Sequence, residues 1–137
     1  MKTEIRYFTL SKKGNTVKLA NAISEAIGKE ALTVDNDLNE EVDVLFLVNA
    51  MYATSIAKEE KEFLKRNASK IKLLVNVNSS ATGRSTFKVV KKNCDKLGIK
   101  ISDKEYHTKA SWINLNKDRP NEEDLNRLKE FAKEIVK

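Results

Sequence analysis

The sequence is poor in the residues that crosslink, kink or ligate. Its 137 residues include one cysteine, one proline, one histidine, one tryptophan and four glycines. A lone Cys94 cannot form an internal disulfide, and no second cysteine or clustered histidine completes a zinc set, so no metal site is expected. No apolar run approaches the roughly 20 residues that a membrane span needs, which argues against a membrane partner. Met1-Lys2-Thr3-Glu4 leads directly into a strand pattern without an apolar signal region, so the expectation is a cytoplasmic protein. No Pro/Gly/Ser linker, repeat or low-complexity segment divides the chain. One domain over residues 1–137 is therefore expected, large enough to bury roughly 68% of the surface of its unfolded chain.

The formal charge is +6 and the pI about 9.3. Lysine-rich surfaces attract phosphates, but here the cations alternate with acids, as in "KEEKEFLKRNASKIK", and no basic strand is studded with aromatics. That pattern reads as solvated helix faces, with no nucleic-acid partner.

Hydrophobic periodicity orders the chain. Ile5, Tyr7 and Thr9 alternate with Arg6 and Phe8, which predicts a first strand. Leu19, Ala22, Ile23, Ala26 and Ile27 fall three and four apart, predicting a helix with one buried face that Gly28 stops. Ala31 to Asp35 predicts a second strand. "VDVLFLV" has the continuous apolar character of a strand buried on both faces, as in parallel sheets covered by helices. A second helix carries Ile56, Phe63, Leu64 and Ile71, and Lys72 to Asn78 predicts a fourth strand. A third helix buries Phe87, Val90, Cys94 and Leu97 and stops at Gly98. "IKIS" starts a fifth strand that resumes through Tyr106 to Ile113. Pro120, Asn121 and three acids open a last helix whose buried stripe is Leu125, Leu128, Ala132 and Ile135. Strand and helix alternate throughout. The fold class is therefore α/β, a doubly wound five-stranded parallel sheet flanked by helices, with ligands at the carboxyl ends of the strands where the strand order reverses.

The polar loop Ser11-Lys12-Lys13-Gly14-Asn15-Thr16 lies at such a place. Small hydroxyl and amide side chains, a glycine for close backbone approach and the free N–H groups of the next helix together suit a phosphate. The loop has one glycine and no Gly-Lys-Ser/Thr ending, so it is neither a Walker A motif nor a G-x-G-x-x-G dinucleotide loop. A monophosphate is the ligand it fits. As a bland alternative, Gly-Asn-Thr is also an ordinary helix cap.

"YFTLSKKGNT" (Tyr7 to Thr16) resembles the phosphate loop of the flavodoxin family, Ser/Thr-x-Thr-Gly-Asn-Thr, matching it at Ser11, Gly14, Asn15 and Thr16. Lys13 replaces a hydroxyl residue. "DNDLNEEVDVLFLVNAMY" and "RPNEEDLNRLKEFAKEI" are similar to further stretches of short-chain members. The resemblance implies the strand order 2-1-3-4-5 and a non-covalent FMN cofactor, with Ser11, Lys12, Lys13, Gly14, Asn15 and Thr16 at its phosphate. A second loop, Asn49-Ala50-Met51-Tyr52-Ala53-Thr54, would flank the flavin ring, with Tyr52 stacked on it and Met51 beside it. Ala50 stands where the family has proline and Ala53 where it has glycine. A third loop from Asn78 through Ser79, Ser80, Thr82 and Gly83 to Arg84 would meet the pyrimidine side, without the acids and second aromatic common there.

The resemblance thus implies an electron-transfer flavoprotein, an electron carrier rather than an enzyme with its own substrate, working as a monomer or weak dimer with a redox protein partner. The positive charge points to an acidic partner and to a less negative potential for the most reduced couple of the flavin. Two alternatives stand beside it: a binding or regulatory module that has lost flavin, and an FMN-dependent reductase drawing on a nicotinamide donor. His107 has no nucleophile placed beside it, Cys94 lies on an apolar helix stripe, and Trp112 reads as packing between the last strand and helix; none is read as catalytic.

Overall fold

The computed structural model describes residues 1–10, 14–111 and 116–137. The elements follow in the order β1 (Thr3–Tyr7), α1 (Asn15–Ile27), β2 (Ala31–Thr33), β3 (Val44–Ala50), α2 (Lys58–Asn67), β4 (Leu74–Ser80), α3 (Phe87–Leu97), β5 (Tyr106–Lys109) and α4 (Glu122–Val136), with a 3-10 turn at Ala68–Lys70. The five strands form one parallel sheet in the order β2-β1-β3-β4-β5. Ile5 of β1 pairs with Ala31 on one side and Phe46 on the other, so strand order reverses at β1. Loops leaving β1 and β3 diverge there.

Side-chain alternation along the strands divides the core in two. Ile5, Val44, Phe46, Val48, Val75 and Val77 pack under α1 and α4 against Leu19, Ile23, Leu128 and Ala132. Leu45, Leu47 and Leu74 pack on the other face under α2 and α3 against Phe63, Leu64, Val90 and Cys94. Burial on both faces explains the near-continuous apolar run of β3. Burial also pushes the Cys94 thiol up to about 12, in keeping with an inert core residue.

Helix ends follow the sequence signals. Gly28 and Gly98 adopt left-handed φ values of 69° and 73°, and their N–H groups donate to the carbonyls of Ser24 and Cys94. At α4, Asn121 Oδ1 accepts from the Asp124 N–H while Asp124 Oδ2 accepts from the Asn121 N–H, each at 2.9 Å. That capping box closes the helix with its own side chains. Burial opposes ionisation of Asp124, but Arg119 and the Asn121 N–H hold its carboxyl below the usual range.

Some boundaries differ from the periodicity. β2 ends at Thr33 and not Asp35. Ile56 and Ile71 flank α2 rather than belonging to it, yet both reach the same core. Phe87 and Leu97 of α3 are only half-buried, because Val90 and Cys94 face the sheet. Ile101 makes one isolated bridge to Leu74, and the fifth strand is Tyr106–Lys109. Trp112 and Ile113 lie outside the described residues.

One buried group is at odds with its surroundings. Glu60 in the first turn of α2 is 0% exposed, and neither carboxylate oxygen has a partner among the described residues. Burial, with the charge of Glu59 adding to it, pushes its carboxyl well above the ordinary 4.5. The folded protein therefore keeps a proton that the unfolded chain releases, so stability falls as pH rises above that ordinary value. Replacing Glu60 by methionine should raise the urea midpoint at neutral pH by the equivalent of about 1–3 kcal/mol, because an unpaired polar group leaves the core. It should also flatten the fall in stability between acid and neutral pH; an unchanged slope would show that Glu60 does not titrate in this window.

Candidate functional site

Parallel strands bring every βα loop to one rim, and there the structure has a cleft of about 540 Å³. Its polar end is the start of α1. Gly14 is the N-cap, extended at φ −71° and ψ 169°, and among the described residues no side chain caps the first turn, which carries no acid. The contrast with α4 is physical: α4 closes its donors with the capping box, whereas the first residues of α1 line the cleft. Gly14, Asn15 and the buried Thr16 all line it. Ser11, Lys12 and Lys13, which complete the expected phosphate loop, lie outside the described residues.

The apolar end comes from the loop after β3. Ala50, Met51, Tyr52 and Ala53 line the cleft, facing an 80% exposed Leu10 from the loop after β1. Tyr52 is half-buried; burial first, then the nearby Glu60 and Glu59, raises its phenol above the ordinary value. Tyr52 and Ser55 exchange backbone hydrogen bonds of 2.7 and 3.0 Å around a two-residue turn, with Ala53 at φ 57° in the first central position. Type II′ turns carry glycine there, because a Cβ is strained at positive φ. Thr54, also expected in the site, is exposed on this turn and does not line the cleft.

The third expected segment divides. Asn78, Ser79 and Ser80 are the end of β4 and not a loop. Ser79 and Ser80 line the cleft, and the Met51 N–H donates to the Ser79 carbonyl at 3.3 Å, which ties the second and third segments together. Asn78 does not line it, since strand alternation turns its side chain toward α3. There Nδ2 donates to the Arg84 carbonyl at 2.9 Å and Oδ1 accepts from the Thr86 N–H at 3.1 Å. Ser80 Oγ donates to the same Arg84 carbonyl at 3.0 Å. Thr82 Oγ1 accepts from the Arg84 N–H at 3.4 Å, and the Gly83 carbonyl lies 2.9 Å from His107 Nδ1. Thr82 and Gly83 thus shape the loop behind the cleft.

Several residues that hold this rim carry no motif. Asn49 Nδ2 donates to Asn76 Oδ1 (2.8 Å), Asn76 Nδ2 to Thr86 Oγ1 (3.1 Å), and the Thr86 hydroxyl to Asn49 Oδ1 (2.6 Å), closing a buried ring that joins β3, β4 and the start of α3. Asn49 is thereby a strand residue and not part of the second loop. Asn15 Nδ2 donates to the Ser111 carbonyl and Oγ at 3.1 and 3.2 Å, drawing the segment after β5 against α1. Asn116, at φ 49°, donates to the Ala81 carbonyl at 2.7 Å. Period-two asparagines in the apolar strand ends "VNA" and "NVNSS" are the sequence signal for the ring.

A larger cleft, about 650 Å³, opens at the opposite end of the sheet. Its cations Lys2, Arg6 and Lys29 are each paired to Glu40 or Glu4. Its cations are matched by acids within its own walls, and the rim cleft is where a helix start meets an apolar wall. The Ala53 turn yields a direct test of that wall. Ala53→Gly should stabilise the protein by about 0.5–1 kcal/mol, since the left-handed strain it relieves exceeds the added chain entropy. Thermal unfolding reads the gain; a lower midpoint would mean that this turn is not held at positive φ.

No family model matches the chain. An uncharacterized protein of Methanocaldococcus jannaschii is 28% identical over 151 residues, covering 100% of this chain and 99% of that protein. Among solved structures, a flavodoxin from the domain Archaea is similar with a TM-score of 0.76 at 17% identity, over 99% of this chain and 96% of the other. A Fusobacterium nucleatum flavodoxin bound to flavin mononucleotide gives 0.69 at 19% identity, over 99% and 98%. A flavodiiron core from Synechocystis gives 0.73 at 13% identity, over 98% of this chain and 34% of the other. With five parallel strands in the order 2-1-3-4-5 and four flanking helices, the chain has the flavodoxin fold across nearly its whole length.

Proposed function

We propose that this protein binds FMN non-covalently in the rim cleft and passes electrons to another redox protein. The observation that supports this most is the two-ended character of the cleft: the start of helix α1 at Gly14–Thr16 and an apolar, aromatic wall at Ala50–Ala53. A monophosphate suits the first and a planar ring the second. The volume of about 540 Å³ lies in the range of small-molecule sites. Likeness to a flavodoxin solved with flavin mononucleotide points the same way.

In this reading Gly14, Asn15 and Thr16, with Ser11, Lys12 and Lys13 of the same loop, hold the phosphate. Met51 and Tyr52 cover the ring, and Ser79 and Ser80 border its pyrimidine side. Asn78 acts as a positioning residue, setting the loop through Arg84 and Thr86. FMN supplies reversible one- and two-electron chemistry when bound, and the chain contributes binding, orientation and electrostatics. The flavin-free module is the second reading, favoured by the strained Ala53, and bleaching of bound flavin by NADH or NADPH alone would favour the reductase.

Titration into FMN should quench flavin fluorescence at one-to-one stoichiometry, with riboflavin bound at least about tenfold more weakly because it leaves the α1 donors unpaired. Equal affinity for both would remove the phosphate role, and no quenching with either would remove the carrier reading. Exposed Arg84 and Lys109 flank the third segment. Positive charge there favours the anionic reduced flavin, so the lower of its two potentials should be less negative than in an acidic flavodoxin. A redox titration giving a more negative value would contradict that electrostatic account.

A further inference from the structure

Exposed cations recur at every fourth residue from the rim down α3: Arg84, Lys88, Lys92 and Lys96. A step of four turns a helix by about 40°, so the three lysines form one stripe about 12 Å long. Among the described residues none of the four is ion-paired, because the one acid of α3, Asp95, is taken by Lys91 at 3.2 Å. Elsewhere on the surface, Lys58 of α2 and Arg127 and Lys133 of α4 each meet a carboxylate three or four residues away. Like charges at that spacing weaken a helix, and Lys88 also sits in a first turn with no acid, against the positive end of the dipole. Lys96, in the last turn, suits the negative end of the dipole, so it is the Lys88 end of the stripe, nearest the rim, that is unfavourable for α3 itself.

The stripe is continuous with the rim. Arg84 belongs to the segment that begins with the cleft residues Ser80 and Ala81, and Lys109 of the edge strand lies against Gly83 in the same segment. Asp103 and Glu105, before β5, form no ion pair with the stripe among the described residues, and Glu105 accepts a hydrogen bond from Ser85.

We propose that this stripe is the docking surface for an acidic redox protein whose clustered carboxylates lie beside its own redox centre. The proposal rests on the FMN-carrier reading. A partner seated on Lys88, Lys92 and Lys96 is led along the stripe to Arg84, in the segment that follows the cleft residues Ser80 and Ala81, and complementary charge there steers encounter and sets orientation. The stripe has no exposed aromatic on which a base could stack and a single guanidinium, which favours a carboxylate patch over a nucleic acid.

The test uses the FMN-loaded protein and a reduced acidic plant-type [2Fe–2S] ferredoxin as probe, with the second-order transfer rate followed by stopped flow at low and high salt. The combined Lys88→Glu, Lys92→Glu and Lys96→Glu variant should lose at least about tenfold in rate at low salt, along with most of the salt dependence. The matched reversal of Lys129, Lys133 and Lys137, on the α4 side of the sheet, should lose much less, and FMN affinity should be unchanged in both. The corresponding glutamine variants give the same comparison if reversal impairs folding. Equal losses in both variants, or salt-independent transfer by an FMN-loaded wild type, would overturn the stripe and leave the carrier reading standing. Failure of the wild type to take up FMN would overturn both. Tight binding of duplex DNA that the α3 reversal abolishes would assign the stripe to nucleic acid and overturn the proposal.

Discussion

Parallel pairing of β1 with both β2 and β3 is the constraint on which the rest of the molecule depends. Because every strand runs the same way, all the strand carboxyl ends and the start of α1 meet at one rim. Because β1 is the point of reversal, α1 leaves toward one face and α2 toward the other. The gap between them is where Gly14–Thr16 and Ala50–Ala53 come to face one cleft. Neither segment makes a site alone; a helix start becomes one only when a second wall stands opposite it.

Buried polar groups then hold the rim in shape. The Asn49–Asn76–Thr86 ring joins the ends of β3 and β4 to the start of α3, and Asn49 Nδ2 also reaches the Leu47 and Val77 carbonyls. Such a closed network rigidifies where a partly satisfied one would destabilise. Asn78 and Ser80 extend it by both binding the Arg84 carbonyl. Glu60 of α2 is the counterexample, a buried carboxyl with no partner among the described residues, whose proton affinity burial raises. The rim is thus held by bonded amides and hydroxyls, with an unpaired acid in the helix near Tyr52.

Surface charge is distributed to different ends. On α4 and part of α2, alternating signs pair within a turn and the helix is supported by its own surface. On α3, among the described residues, a row of unpaired lysines runs from the rim end of the helix to its last turn, whereas in the cleft at the opposite end of the sheet Lys2, Arg6 and Lys29 each meet an acid. A net charge of +6 is therefore less informative than where the unpaired part of it lies.

The order of elements and the parallel sheet were legible in the sequence, and the strand order in the family resemblance of its loops. Periods of two and of three to four, the doubly buried run of β3 and the glycine stops at residues 28 and 98 are local consequences of burial and backbone sterics. So was the location of the rim, since a polar loop between strand and helix has one place to go in such a sheet. What the sequence did not disclose was decided by contacts distant along the chain. Asn78 reads as the junction of a strand and a ligand loop until β4 continues through Ser80 and alternation turns it toward α3. Asn49 and Asn76 look like breaks in apolar strands until the third member, Thr86, arrives to close the ring. Ser111 and Asn116 join the rim across the sheet through Asn15 and Ala81. Local sterics determine which segments become strands and helices; only tertiary packing, by choosing which polar groups meet, decides which residues line the cleft and which hold it open.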